Sequence, residues 1–561
     1  MNSHIRVATF LTMVSFIVSC EAPPSYDVII RGGTVYDGRG GPPVAADIAI
    51  LGDSVVAVAQ YIEGDARREI DAHGLAVAPG FINMLSWATE SLLEDGSAQS
   101  DIRQGITLEV FGEGWSMGPL TASMKAEALA EQGDLTFDIA WTTLGEYLEH
   151  LVSRGVSPNV ASFIGASTVR IHEIGYEDRP PTPEELERMR ALVQTAMEEG
   201  ALGVGSSLIY APAFYASTDE LIALAEVAAQ SGGMYISHLR SEGDRILPAL
   251  DELLTIARTA NIGAEIYHLK AAGRRNWDLL DSVIARVEQA RADGLEITAD
   301  MYTYTAGATG LDAAMPPWVQ EGGLQAWIER LQDPVIRARV ERAMRTPSTE
   351  WENLYEAAGG AENVLLVGFK EDSLKPLTGM SLAAVAARRG TSPEETAMDL
   401  VIQDGSRVGT VYFLMSEDNV RKKVSLPWVR FGSDAGALAP EGVFLRSNPH
   451  PRAYGNFARL LGKYVRDEKI IPLEEAIHRL TLAPATTLRI ERRGILEPGY
   501  YADVVIFDPR TIIDRATFDD PHQYSTGMVH VLVNGVPVLQ DGRHTGAKPG
   551  RVVRGPGWAG R

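Results

Sequence analysis

His238 and His268 stand thirty residues apart, and each closes an apolar run: Met234-Tyr235-Ile236-Ser237-His238 and Ala264-Glu265-Ile266-Tyr267-His268. A third run, Val429-Arg430-Phe431-Gly432-Ser433-Asp434, ends in a carboxylate. Thirty residues is the span of one strand–helix unit. Two imidazoles and a carboxylate at convergent strand ends can hold a divalent cation and leave one position open to water. Such a cation lowers the water's pKa to about 7 and polarises a bound carbonyl. Asp434 is then placed to take the water's proton and deliver it to a leaving nitrogen.

These residues need a frame whose strand ends converge. Candidate strands end at Asn83, Glu113, Ile164, Gly205, His238, His268, Asp300 and Asp434. Most are near-continuous apolar runs, as parallel strands buried on both faces require. Helices lie between several of them. Thr182-Pro183-Glu184-Glu185 is a capped start with proline at the first helical position, Thr218-Asp219-Glu220 starts a second helix, and Asp244 opens a third. Eight strands alternating with helices predict an α/β fold, a TIM (β/α)8 barrel, with functional groups at the carboxyl ends of the strands. The stretch from Met301 to Val429 is too long for one crossover, so an inserted subdomain is expected at about 311–375. Val- and Ile-rich segments at both chain ends, among them Asp27-Val28-Ile29-Ile30 and Val504-Val505-Ile506-Phe507, predict a small split β-domain from residues 26–77 and 486–561 around a barrel of 78–485.

The chain has 561 residues, 45% of them hydrophobic, which excludes a disordered protein. Its 51 Lys+Arg against 74 Asp+Glu give a net charge of −23, which argues against nucleic acid as a partner. The single cysteine, Cys20, excludes a disulfide framework and a cysteine-rich metal site. It follows a twelve-residue apolar run, Val7 to Val18, that is too short for a bilayer of about 30 Å. Ile17-Val18-Ser19-Cys20 resembles a bacterial lipobox. That resemblance implies a signal peptide over 1–19, lipidation at Cys20 and a tether over 20–25. The protein is then expected in the cell envelope, facing the periplasm, on the outer rather than the inner membrane, and touching the membrane only through its lipid.

Further along, the chain carries Tyr26-Asp27-Val28-Ile29-Ile30-Arg31-Gly32-Gly33, Ala78-Pro79-Gly80-Phe81-Ile82, Leu208-Ile209-Tyr210-Ala211-Pro212 and His238-Leu239-Arg240-Ser241-Glu242-Gly243. It continues with His268-Leu269-Lys270-Ala271-Ala272-Gly273, Asp300-Met301-Tyr302-Thr303-Tyr304-Thr305-Ala306, Gly432-Ser433-Asp434 and His450-Pro451-Arg452-Ala453-Tyr454-Gly455. Together these resemble the amidohydrolase superfamily, in particular its N-acyl-D-amino-acid deacylase (D-aminoacylase) group. The resemblance runs from about Tyr26 to Gly555. It implies zinc held by His238 and His268, and Asp434 as general base and acid. It also implies a substrate carboxylate met by Lys270, Tyr302 or Tyr304, and Arg452; arginine offers a planar fork and lysine a point charge.

Three places depart from the family pattern. Leu85 and Trp87 stand where the family has a His-X-His pair, so the weaker of two metal positions is expected to be lost. Glu113 stands nearest the place of a bridging cysteine, and is the expected third metal ligand beside His238 and His268, with Glu90 and Glu109 as lesser candidates. Ala166 replaces a histidine after the third strand, and Arg170 nearby is open to a substrate contact or a structural pair. The expected activity is hydrolysis of a linear amide in an acylated amino acid or small peptide, with one divalent ion, zinc, as cofactor. The alternatives are a dipeptidase or cyclic-amide hydrolase on the same fold, and a non-catalytic lipid-anchored binding protein.

Overall fold

The computed structural model describes residues 26–560. The expected signal peptide, the lipidation expected at Cys20 and the expected tether lie outside the described residues. Among the described residues, no helix is long and apolar enough to cross a membrane.

Eight staves form the centre: β1 (Phe81–Asn83), β2 (Ile106–Phe111), β3 (Asn159–Ser162), β4 (Gly203–Ser207), β5 (Met234–His238), β6 (Ala264–Ile266), β7 (Ile297–Ala299) and β8 (428–435). β1, β2 and β3 pair in parallel. The continuation of β3 through Ile164–Gly165 pairs with β4, and β4 to β7 follow in order, all parallel. β8 closes the ring: Val429 pairs in parallel with Ala299, and Ala435 with Ser86 beyond β1. The predicted barrel is therefore present. Every residue of β2, β4 and β5 is buried, as parallel strands covered on both faces require.

The helix signals map closely. Thr182 caps Pro183–Glu198 through a capping box with Glu185. Thr218–Gln230 is capped by the Ser217 hydroxyl. The third helix begins at Ile246 rather than at Asp244, because the Asp244 carboxylate is engaged by Arg275 and Asn276 instead of by the helix terminus.

Both chain ends build one nine-stranded sheet, joined where Ala76–Pro79 pairs antiparallel with Val504–Phe507. The last residues do not belong to it. Val552 bridges to Val160 on β3, and Gly555 donates to the Gly200 carbonyl, so the tail straps the barrel rather than completing the β-domain assigned to 486–561.

The insertion is wider than 311–375. Its antiparallel sheet has Gly409–Phe413 in the middle, between Ala306–Gly310 and Val364–Gly368. Its core runs from Tyr302 to Met415 and is separate from the barrel core. The central strand arrives last in sequence, so the helices Leu382–Arg389 and Pro393–Asp404 that precede it pack in this core and not in that of the barrel.

Candidate active site

Met234, Ile236 and His238 share one face of β5, because side chains two apart on a strand point the same way. Ile236 belongs to the apolar cluster of Ile82, Met84, Leu108, Val110 and Phe163. His238 therefore emerges from the top of that column. Glu113 lies just beyond β2, between Gly112 and Gly114, whose φ values are 106° and 73°. A Cβ on Gly112 would stand 2.4 Å from the Phe163 carbonyl oxygen, so this turn needs glycine to reach the mouth. His268 and Asp434 also take left-handed backbone, with φ of 33° and 50°. Such conformations cost roughly 1–3 kcal/mol each and persist where the surroundings enforce them.

These residues meet. Glu113 Oε1 lies 3.0 Å from His238 Nδ1 and 2.8 Å from His268 Nε2. The ligand atoms of the three residues all fall within 4.8 Å of one another, and all three side chains are buried. The opposite edges of both rings face Glu242: His268 Nδ1 is 3.0 Å from Glu242 Oε1, and His238 Nε2 is 3.4 Å from Oε2. Lys270 donates to both Glu242 oxygens at 2.7 and 2.8 Å. The arrangement fits a divalent cation: two imidazole nitrogens and one carboxylate oxygen converge, and a second carboxylate backs the rings as metal-bound histidines require. His238 Nε2 is buried without a hydrogen-bond partner.

The charges are strongly coupled. Burial alone would raise the Glu113 carboxyl, but His268 and His238 outweigh it and hold it well below the usual carboxylate range. Burial and Lys270 would lower His268, yet Glu242 and Glu113 carry it up to about 10. Burial would also raise Glu242, but Lys270 and the two imidazoles hold it far below the ordinary value. Asp434 is pushed up by burial, against the opposing charge of Arg452. Arg452 Nη1 lies 2.8 Å from Asp434 Oδ2, and the guanidinium stacks 4.4 Å from the Tyr302 ring. His450 holds this arginine in place: its Nε2–H donates to the Ala306 carbonyl at 2.9 Å, and its Nδ1 accepts the Arg452 backbone N–H at 3.0 Å. Burial keeps His450 well below the usual imidazole value, in agreement with that neutral role.

A cavity of about 320 Å³ gathers Glu113, His238, Glu242, His268, Lys270, Tyr302, Asp434 and Arg452, with Trp87 at its wall. The insertion contributes Gly307, Ala308, Thr309, Leu354, Arg407 and Leu414. Tyr304, expected as an alternative substrate contact, is turned away: its hydroxyl donates to Asp514 Oδ2 at 3.1 Å beneath Arg459. Arg170 is a buried structural pair with Glu220 at 2.6 Å. Glu109 bonds Asn83 at 2.8 Å and stays outside the cluster, as does Glu90. Glu242 and Arg407 were not singled out by sequence reasoning. Glu242 had a signal, an acid four residues after a ligating histidine; Arg407 had none.

The amidohydrolase family model matches residues 68–539. The D-aminoacylase of Alcaligenes xylosoxydans xylosoxydans is 32% identical over 532 residues, covering 94% of this chain and 97% of the relative. The N-acyl-D-aspartate deacylase of the same organism is 33% identical over 536 residues, covering 95% of this chain and 96% of the relative. Among solved structures, the N-acyl-D-glutamate deacylase of Bordetella bronchiseptica, complexed with zinc and a phosphonate mimic of the tetrahedral intermediate, superposes with a TM-score of 0.79. It is 30% identical and covers 95% of this chain and all of its own.

Proposed function

The chain belongs to the amidohydrolase family, and we propose that it hydrolyses N-acyl-D-amino acids with one divalent cation, zinc, held by Glu113, His238 and His268. The observation that carries this is the meeting of those three side chains with Asp434 and Arg452 in one cavity. The relatives act on acylated D-amino acids by name, and the Bordetella enzyme was captured with zinc.

When bound, the cation polarises the amide carbonyl and lowers the pKa of water beside it. Glu242 sets its charge against the outer edges of both imidazoles, which leaves the other edge of each for the cation. Asp434 accepts the proton of the attacking water and returns it to the leaving nitrogen. Its raised pKa brings it nearer neutrality, where one group serves best as base and then acid. Arg452 is the main carboxylate clamp: its Nε is buried with no hydrogen-bond partner, and it lies beside the base. Lys270 commits its donors to Glu242 and to His268 Nδ1, 2.7 Å away, and contributes charge rather than a free fork. The lipobox at Cys20 adds that the enzyme works in the cell envelope.

The test is a panel of N-acetyl-D-amino acids, N-acetyl-L-amino acids and dipeptides assayed with the zinc-loaded enzyme. Release of amino acid from the D-series alone, reduced on the order of 10²–10⁴-fold in Asp434→Asn with zinc retained, is the expected result. Turnover only of dipeptides, or of nothing in the panel, overturns the substrate assignment.

A further inference from the structure

We infer that Trp87 is a positioning residue for Glu113, and that its indole N–H makes Glu113 a ligand to one cation only. The inference rests on the reading of Glu113, His238 and His268 as a metal centre.

Trp87 lies just past β1, where the chain is locked to β8. Ser86 pairs with Ala435, and the Trp87 backbone N–H donates to the Ala435 carbonyl at 2.9 Å. That fixed backbone aims the indole at the centre. Its Nε1–H donates to Glu113 Oε2 at 2.8 Å. The other oxygen, Oε1, lies between the two imidazoles. The two oxygens of one carboxylate are thus divided: one faces the histidines and one is taken by a neutral donor.

A carboxylate shared by two cations presents lone pairs to both. An indole nitrogen carries a hydrogen and has no lone pair in the ring plane to offer a metal. Its hydrogen takes up one lone pair of Oε2 and sets a positive hydrogen, not a ligand atom, beside that oxygen. Leu85, two residues earlier, is fully buried among apolar side chains and offers no ligand atom either. The same hydrogen bond fixes the carboxylate rotamer, so that Oε1 reaches the imidazole pair without a search. Hydrogen bonds of this kind to a metal-binding group are commonly worth ten- to hundred-fold in metal affinity. Trp87 is 40% exposed and borders the cavity, so its ring is not a core element whose trimming would collapse the barrel.

Trp87→Phe keeps an apolar plane and removes the donor. Chelator-stripped wild type and Trp87→Phe are titrated with Co²⁺, read by visible absorption and by metal analysis of the desalted protein. Thermal unfolding is followed with and without the ion. The expected wild type takes one Co²⁺ per chain at saturation. The variant is expected to unfold at the wild-type temperature without metal, to bind Co²⁺ roughly ten- to hundred-fold more weakly with an altered spectrum, and to gain less thermal stabilisation from it. Wild type that takes two Co²⁺ overturns the inference, as does a variant whose affinity stays within two-fold and whose spectrum is unchanged. In both cases the metal-centre reading survives. Wild type that takes up no Co²⁺ overturns the metal-centre reading and this inference together.

Discussion

Glu242 shows how one side chain can serve three others. Its two oxygens bind Lys270, and its carboxylate faces both imidazoles. All four side chains are buried, so none can turn to water for a replacement partner. Removing one member of a buried ion pair leaves the other charge uncompensated, at a cost of roughly 3–5 kcal/mol. Glu242→Gln keeps the shape and removes the charge. It is expected to lower the unfolding free energy of the metal-free protein by about that amount, read from urea midpoints at constant slope. It is also expected to weaken metal binding by about ten- to hundred-fold, read by competition with a chromogenic chelator. A variant as stable as wild type would place Lys270 against another partner. The ligating histidines were legible in the sequence because each ends an apolar run. Glu242 was harder to see, because its role comes from where the loop after β5 folds back. That fold is set by contacts with a distant segment.

The distant segment is the insertion. Glu352 accepts the Ser241 hydroxyl and the backbone N–H groups of Glu242 and Gly243, at 2.7, 3.0 and 3.3 Å. One carboxylate on the inserted subdomain thus pins the loop that carries Glu242. Burial first, and then the nearby charge of Glu242, push the Glu352 carboxyl from 4.5 up to about 7. The sign follows from linkage. Unfolded Glu352 ionises near 4.5, whereas folded Glu352 holds its proton to about 7. Its contribution is therefore fully present below about pH 4.5 and is lost as pH rises through 7. Glu352→Gln can still accept these bonds and cannot ionise. It is expected to match wild type near pH 4.5 and to exceed it above pH 7 by a few kcal/mol at most, because each tenfold change in a proton's affinity is worth about 1.4 kcal/mol. Denaturant unfolding of both proteins across this range checks it; parallel curves would show that Glu352 does not titrate there. At this scale the sequence was informative for strands and caps, where Thr182 and the buried runs of β2 and β5 carry their own local signals. The insertion reaches beyond 311–375 because its central strand, Gly409–Phe413, pairs with partners about a hundred and about forty-five residues earlier. No local pattern encodes that pairing.

Across the whole molecule, the split sheet is docked on one end of the barrel. The Asp503 backbone carbonyl accepts from Gly80, immediately before β1, and its carboxylate faces Asn159, the first residue of β3. Arg493 and Asn534 complete a buried network there. All of these contacts lie at the amino-terminal ends of the staves, while Glu113, His238, His268 and Asp434 lie at the carboxyl-terminal ends. Tyr26 opens the first strand of the sheet, so a lipid on Cys20 would tether the molecule through its sheet domain. Residues 20–25 could span no more than about 20 Å when extended. The active-site mouth, at the other end of the staves, would then open toward soluble substrate and away from the bilayer. Acyl chains at about 0.8 kcal/mol per buried CH₂ hold firmly when more than one is attached. Full-length protein produced in a bacterium with its own leader is therefore expected in the membrane fraction, labelled by a clickable palmitate analogue. Cys20→Ser should lose the label and move to the soluble fraction with its specific activity unchanged, because the catalytic centre does not use the anchor. Unlabelled wild-type protein in the soluble fraction would show instead that Cys20 ends an ordinary leader and that the sheet domain faces water on every side.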